Sequence, residues 1–248
     1  MYFNDIHILV YTAIAVIGFL VGNLVNWCNY RMPKEKKIFS KDMFQKDVNY
    51  KNNLLLSIIT MLIYITLLYI CGIGKTFFSN LLLIKYLIIT PILLSAFVID
   101  YKYQIIPNRL NLTMFQIGIV LLFTAGIFDL NIAIDMFLGL ITGGGIFLLI
   151  TILGGLIAGK EAMGFGDVKF MCGIGIFFGF ANTIVITLMA FLIGAIISIA
   201  VMIIKKSKTT YVPFGPFIVI GTFITMFVPF SIILKVLITF FSLGTIKV

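Results

Sequence analysis

The chain has 248 residues, of which 61% are hydrophobic and 11% charged. Soluble domains carry about 25% charged residues, so a soluble fold is excluded and repeated apolar runs of about 20 residues point to a polytopic membrane protein. The net charge of +9, from 18 basic and 9 acidic residues, is the Lys and Arg excess of cytoplasmic loops; the interleaved aromatics are too few for a nucleic-acid surface.

An all-α protein with about eight transmembrane helices is expected. The N-terminus lacks the basic leader and small-residue cleavage site of a signal peptide, so the first apolar run reads as a retained span. The spans are expected at residues 6–27, 54–73, 81–99, 112–128, 132–158, 168–180, 183–204 and 217–241. Residues 168–204 as one helix would be about 55 Å long, against a bilayer core of about 30 Å. A hairpin broken at 179–182 is therefore expected, with a first arm short for a span. Either the bilayer thins there, or the Asp167 end sits below the membrane surface.

Charge tests this count. With the N-terminus outside, the inside loops hold the seven basic residues from Arg31 to Lys51, then Lys102, Arg109, Lys160, Lys169, Lys205, Lys206 and Lys208. Only Lys75, Lys85, Lys235 and Lys247 fall outside. This bias supports eight spans with both termini outside. The chain divides into a first transmembrane helix at 1–29, a basic cytoplasmic loop at 30–53, and a seven-helix membrane core at 54–248.

The first loop's lysines would attract anionic lipid, although the positive-inside bias already accounts for them. Asn23 and Asn26 lie three apart on one helical face and are expected to bond across helices. Gly143-Gly144-Gly145 lies inside an apolar span, where small residues permit close helix packing. Cys28, Cys71 and Cys172 are widely separated and read as small buried apolar residues. With His7 the only histidine, no zinc site is expected.

The chemistry concentrates at Gly164-Phe165-Gly166-Asp167-Val168-Lys169. A carboxylate at the edge of a membrane span is costly to keep and marks a functional site. The flanking glycines allow another backbone to approach it. A second carboxylate is needed for hydrolysis. Asp5 and Asp129 lie at the outer boundary, and Asp135 lies a membrane thickness from Asp167. Glu35, Asp42 and Asp47 belong to the solvated loop, as does Glu161 to its own. Asp100 remains, at the cytoplasmic end of the third span. Two carboxylates at one depth on different helices can share a proton, because like charges about 3 Å apart do not both ionise at low cost. One then acts as general base on water, the other as general acid on the leaving group. The competing reading is two interfacial caps, each paired with a nearby lysine.

These residues carry a resemblance. Gly164-Phe165-Gly166-Asp167 resembles the GxGD signature of intramembrane aspartyl peptidases. More narrowly, residues 161–169 resemble those of bacterial type IV prepilin peptidases. Asp100 followed by Ile106-Pro107-Asn108 resembles that family's first aspartate segment. Gly22-Asn23-Leu24-Val25-Asn26 with Tyr30-Arg31-Met32-Pro33 resembles its first-span ending, and Pro213-Phe214-Gly215-Pro216-Phe217 its last motif. The resemblance implies an aspartyl endopeptidase of the cytoplasmic (inner) membrane. It would remove the leader of prepilins or pseudopilins on the cytoplasmic side, with Asp100 and Asp167 as the catalytic pair. It also implies methylation of the new N-terminal amine by S-adenosylmethionine. Proteolysis itself needs no cofactor.

One departure stands out. Many bacterial members carry two CxxC pairs in a zinc-binding first loop, whereas residues 30–53 contain no cysteine. That departure bears on methylation, which is associated with this region.

Around the aspartates, Pro107 either ends a helix leaving Asp100 or positions it, with Asn108 in the same turn. Lys169 either lowers the cost of an ionised Asp167 or anchors a helix end. Pro213, Gly215 and Pro216 either start the last span or offer backbone groups to an extended substrate. The rival function is a transporter in which Asp100 and Asp167 relay protons. A third reading is a proteolytically inactive relative that only binds or methylates pilins.

Overall fold

In hydrocarbon every backbone polar group must be satisfied within its own segment, so the apolar runs become helices. The computed structural model describes residues 2–4, 6–38, 53–75, 80–159, 163–205 and 212–241. Among these, six helices are long and apolar enough to cross a membrane, with two shorter apolar helices after them. The chain is an all-α polytopic membrane protein; among the described residues one short strand pairing lies at its start, where β1 (Tyr2–Phe3) is antiparallel to β2 (Ile6–His7). Contacts divide it into two units, Met1–Tyr103 and Gln104–Val248.

The first unit holds α1 (Ile8–Arg31), α2 (Leu54–Cys71) and α3 (Leu81–Tyr103). Glycines set the contact between α1 and α2. A methyl group on Gly22 would stand 2.5 Å from Ser57 Cα, and one on Gly18 2.9 Å from Met61 Cα. Polar groups then join across the seam. Asn26 donates to Ser57 Oγ (3.3 Å), and Ser57 Oγ donates to Asn23 Oδ1 (3.1 Å). Both asparagines bond across helices, as their spacing predicts. Pro91 lies inside α3. Lacking an N–H, it leaves the Leu87 carbonyl without its helical donor. The Tyr64 hydroxyl of α2 donates to that carbonyl at 2.7 Å.

The second unit holds α4 (Asn108–Phe128), α5 (Leu130–Ala158), α6 (Phe165–Lys205), α7 (Gly215–Phe227) and α8 (Phe230–Phe241). Within α6 the backbone leaves helical geometry at Gly179, with φ 75° and ψ −179°. This region is open to glycine alone. Gly139 of α5 packs on Gly175 and Gly179, and one turn later Gly143 packs on Met171 and Thr183. Advancing along α5 thus runs backward along the first arm of α6 and forward along the second. The arms fold back on each other, as the expected hairpin requires. The first arm, residues 165–178, is about 21 Å long, shorter than a bilayer core.

Asp135 of α5 completes the break. Its Oδ1 accepts from the Phe180 N–H at 3.0 Å, capping the second arm where no preceding turn serves it. Nothing in the local sequence of α5 announced this role. Gly143 and Gly144 do pack closely, the latter on Cys172, while Gly145 faces open space. All three cysteines are free and only half-buried, rather than buried.

The expected single span at 217–241 is corrected to two helices. Val228 is extended (φ −111°, ψ 130°) and Pro229 follows it. Proline cannot continue the ladder and pushes its predecessor out of helical geometry. At 13 and 12 residues, α7 and α8 each reach about 20 Å, short of a bilayer core.

Candidate active site

Asp167 is the third residue of α6. Its backbone N–H donates to the Gly164 carbonyl at 3.0 Å, so the GxGD segment closes as the helix's opening turn. A first-turn carboxylate complements the helix dipole. The side chain is 8% exposed. A methyl group on Gly164 would stand 3.3 Å from Asp167 Oδ2, so a larger residue there presses on the carboxylate.

The segment leading into α4 packs on this turn. Pro107 is extended (φ −61°, ψ 135°), and its carbonyl accepts from Leu110 N (3.0 Å) and Asn111 N (3.3 Å). Proline's fixed φ suits that position at a helix start. A methyl group on Gly166 would stand 3.5 Å from Ile106 Cβ. Lys169 Nζ donates to Asn108 Oδ1 at 3.0 Å and lies 5.3 Å from the Phe165 ring centroid. Lys169 thus ties the start of α6 to the start of α4. Asn111 adds a second tie, from its Nδ2 to the Gly166 carbonyl at 3.3 Å. Asn111 did not stand out in the sequence. The available signal was its position three residues after Asn108, on the same helical face.

Asp100 belongs to the first unit. It lies in the last turn of α3, which continues to Tyr103, past the span end expected at Ile99. It is 5% exposed. The helix then stops, with Gln104 at φ 57°.

Pro213, Gly215 and Pro216 sit at the start of α7. Gly215 is its first helical residue, and the Phe214 carbonyl accepts from Phe217 N at 3.0 Å. This is the geometry of helix initiation. Phe214 packs against Phe147 and Phe191, at centroid separations of 5.9 and 5.1 Å. The rings fix the segment on α5 and α6. Glu161 and most of the basic loop lie outside the described residues. Among the described residues, no cluster of three or more His, Cys, Asp or Glu stands ready for a metal.

Residues 87–199 match the family model described as the type IV leader peptidase family, and this segment contains both Asp100 and Asp167. The prepilin leader peptidase/N-methyltransferase of Escherichia coli K12 is 29% identical over 133 residues, covering 54% of this chain and 58% of that protein. The Legionella pneumophila protein of the same name is 33% identical over 144 residues, covering 57% and 49%. That of Pseudomonas aeruginosa is 30% identical over 146 residues, covering 56% and 48%. The chain thus spans about half the length of the curated relatives it matches. No solved structure matches it. Residues 87–199, which include the GxGD turn, are thus similar to the type IV leader peptidase family.

Proposed function

We propose that the chain is an aspartyl endopeptidase that removes the leader of type IV prepilins or pseudopilins at the cytoplasmic side of the inner membrane. The observation that carries this reading is that the family segment contains two buried aspartates, Asp100 and Asp167. The positive-inside bias of the loops supports the cytoplasmic placement and termini on the outer side.

In this reading the two carboxyls share one proton. The ionised carboxylate takes a proton from water as the water oxygen bonds to the scissile carbonyl carbon. The protonated carboxyl gives its proton to the leaving nitrogen as the C–N bond breaks. The products are a leader carboxylate and a new N-terminal amine. The pair titrates as a unit, so the base and acid roles belong to the pair. In the second unit, Lys169, Asn108, Pro107, Gly164 and Gly166 hold the GxGD turn that carries Asp167.

The N-methyltransferase half of the relatives' names also supports a second activity, N-methylation of the new amine with S-adenosylmethionine as donor. The end of α1 fits a polar cofactor at one place. Asn29 is buried, and its side-chain amide has no hydrogen-bond partner. Close by in sequence, the Tyr30 ring carries Lys34 Nζ 3.8 Å from its centroid. Asn29 would hold the cofactor's polar groups, and the cofactor would supply the methyl group.

The test is cleavage of a purified prepilin by the wild type, Asp100→Asn and Asp167→Asn in detergent. Asn keeps size and polarity but does not ionise. Both variants are expected to be inactive while the wild type trims the leader. Normal cleavage by either variant removes the two-carboxylate mechanism, whereas a wild type that leaves the leader uncut favours a proton pathway, which flux into proteoliposomes would reveal. A methyl increment on the product, seen only with S-adenosylmethionine, reports the second activity.

A further inference from the structure

We propose that Asn111 is a positioning residue for Asp167, holding the peptide group through which the aspartate enters α6. The inference rests on Asp167 being catalytic. The Gly166 carbonyl and the Asp167 N–H belong to one planar peptide unit. Both ends of that unit are held. Asp167 N donates to the Gly164 carbonyl at 3.0 Å, and the Gly166 carbonyl accepts from Asn111 Nδ2 at 3.3 Å. With both ends held, the torsions flanking the unit are fixed, and so is the direction of the Asp167 Cα–Cβ bond. Glycine at 166 would otherwise be the loosest link before the carboxylate.

The burial of Asn111 indicates which half of its amide matters. The residue is 2% exposed, and its Oδ1 is buried without a hydrogen-bond partner. A flipped amide would set Oδ1 against the Gly166 carbonyl, two acceptors with no proton between them. An apolar side chain would avoid the cost of the unmatched oxygen, but would leave the Gly166 carbonyl without this donor. The position is explained by the donor. Docking of α4 on α6 does not depend on it alone, because Lys169 bonds Asn108 and Met114 packs on Gly173.

The experiment measures kcat and KM on a recombinant prepilin carrying its leader, for wild type, Asn111→Asp, Asn111→Leu and Asp167→Asn, with thermal unfolding of each. We expect both Asn111 variants to lose about 10–100-fold in kcat, with KM within about twofold of wild type, and to unfold near the wild-type temperature. Relative to wild type at each pH, Asn111→Asp regains kcat as the pH falls, because its protonated carboxyl can donate to Gly166. Asn111→Leu does not. Asp167, Lys169 and Arg109 are common to both variants and cancel in that comparison. Wild-type kcat in the variants, a loss confined to KM, or one pH-independent deficit shared by both overturns the proposal. Full activity in Asp167→Asn sinks the underlying reading instead. An inactive Asp167→Asn beside fully active Asn111 variants sinks only this inference.

Discussion

Gly179→Ala tests the hairpin of α6 most directly. Gly179 holds φ 75° and ψ −179°, a conformation that strains any other residue by about 1–3 kcal/mol. The added methyl group would also run into the Asp135 carboxylate. Moving that carboxylate weakens its bond from the Phe180 N–H, a charge-assisted bond worth about 1.5–3 kcal/mol when well formed. Asp135 is exposed, so the lower end applies, and the single change should cost on the order of 3–4 kcal/mol. Asp135→Ala alone loses only the cap, about 1 kcal/mol. The double variant keeps the backbone strain but has no carboxylate to displace. Its cost should fall short of the two singles' sum by about 1 kcal/mol or more. The assay is reversible unfolding in detergent micelles, followed by helical circular dichroism. Additive costs, or a Gly179→Ala protein as stable as wild type, would refute both the overlap and the cap.

Other contacts are open to the same kind of test. Tyr64→Phe strands the Leu87 carbonyl and should cost about 1–2 kcal/mol in the unfolding assay. The penalty should largely vanish in a Pro91→Ala background, where residue 91 regains its N–H. Gly22→Val forces a side chain into the Ser57 backbone and should cost at least 1–3 kcal/mol, while Gly145→Val, facing open space, should be close to neutral in that assay. Lys169→Met breaks the bond to Asn108, and prepilin cleavage should slow by about tenfold with little change in stability. Lys169→Arg should retain most of the rate, because a donor still reaches Asn108.

Much of this protein was legible in one dimension because the bilayer imposes a strict rule on the chain. Backbone groups in hydrocarbon must bond within their own helix, so apolar runs alone placed α1 to α5 to within a few residues. Length against bilayer thickness was enough to demand a break near Gly179. The GxGD turn and the Asp100 segment could be picked out because charge is rare in such a chain, and the residues around them carry the family pattern. The fold alone decided which groups meet. Asp135 looked like an outer-edge charge until the hairpin brought the uncapped start of the second arm against it. Pro91 required a donor from another helix, and only packing selected Tyr64. Asn111 lay one residue before the span expected at 112–128, and only the docking of α4 set it against the carbonyl of Gly166. Pro229 was visible throughout, yet hydropathy averages over a single missing N–H, and the last span was expected unbroken. In each case the sequence carries one partner of an interaction whose other partner lies far along the chain. Hydropathy and spacing see only local order, and the pairing is settled by helix packing.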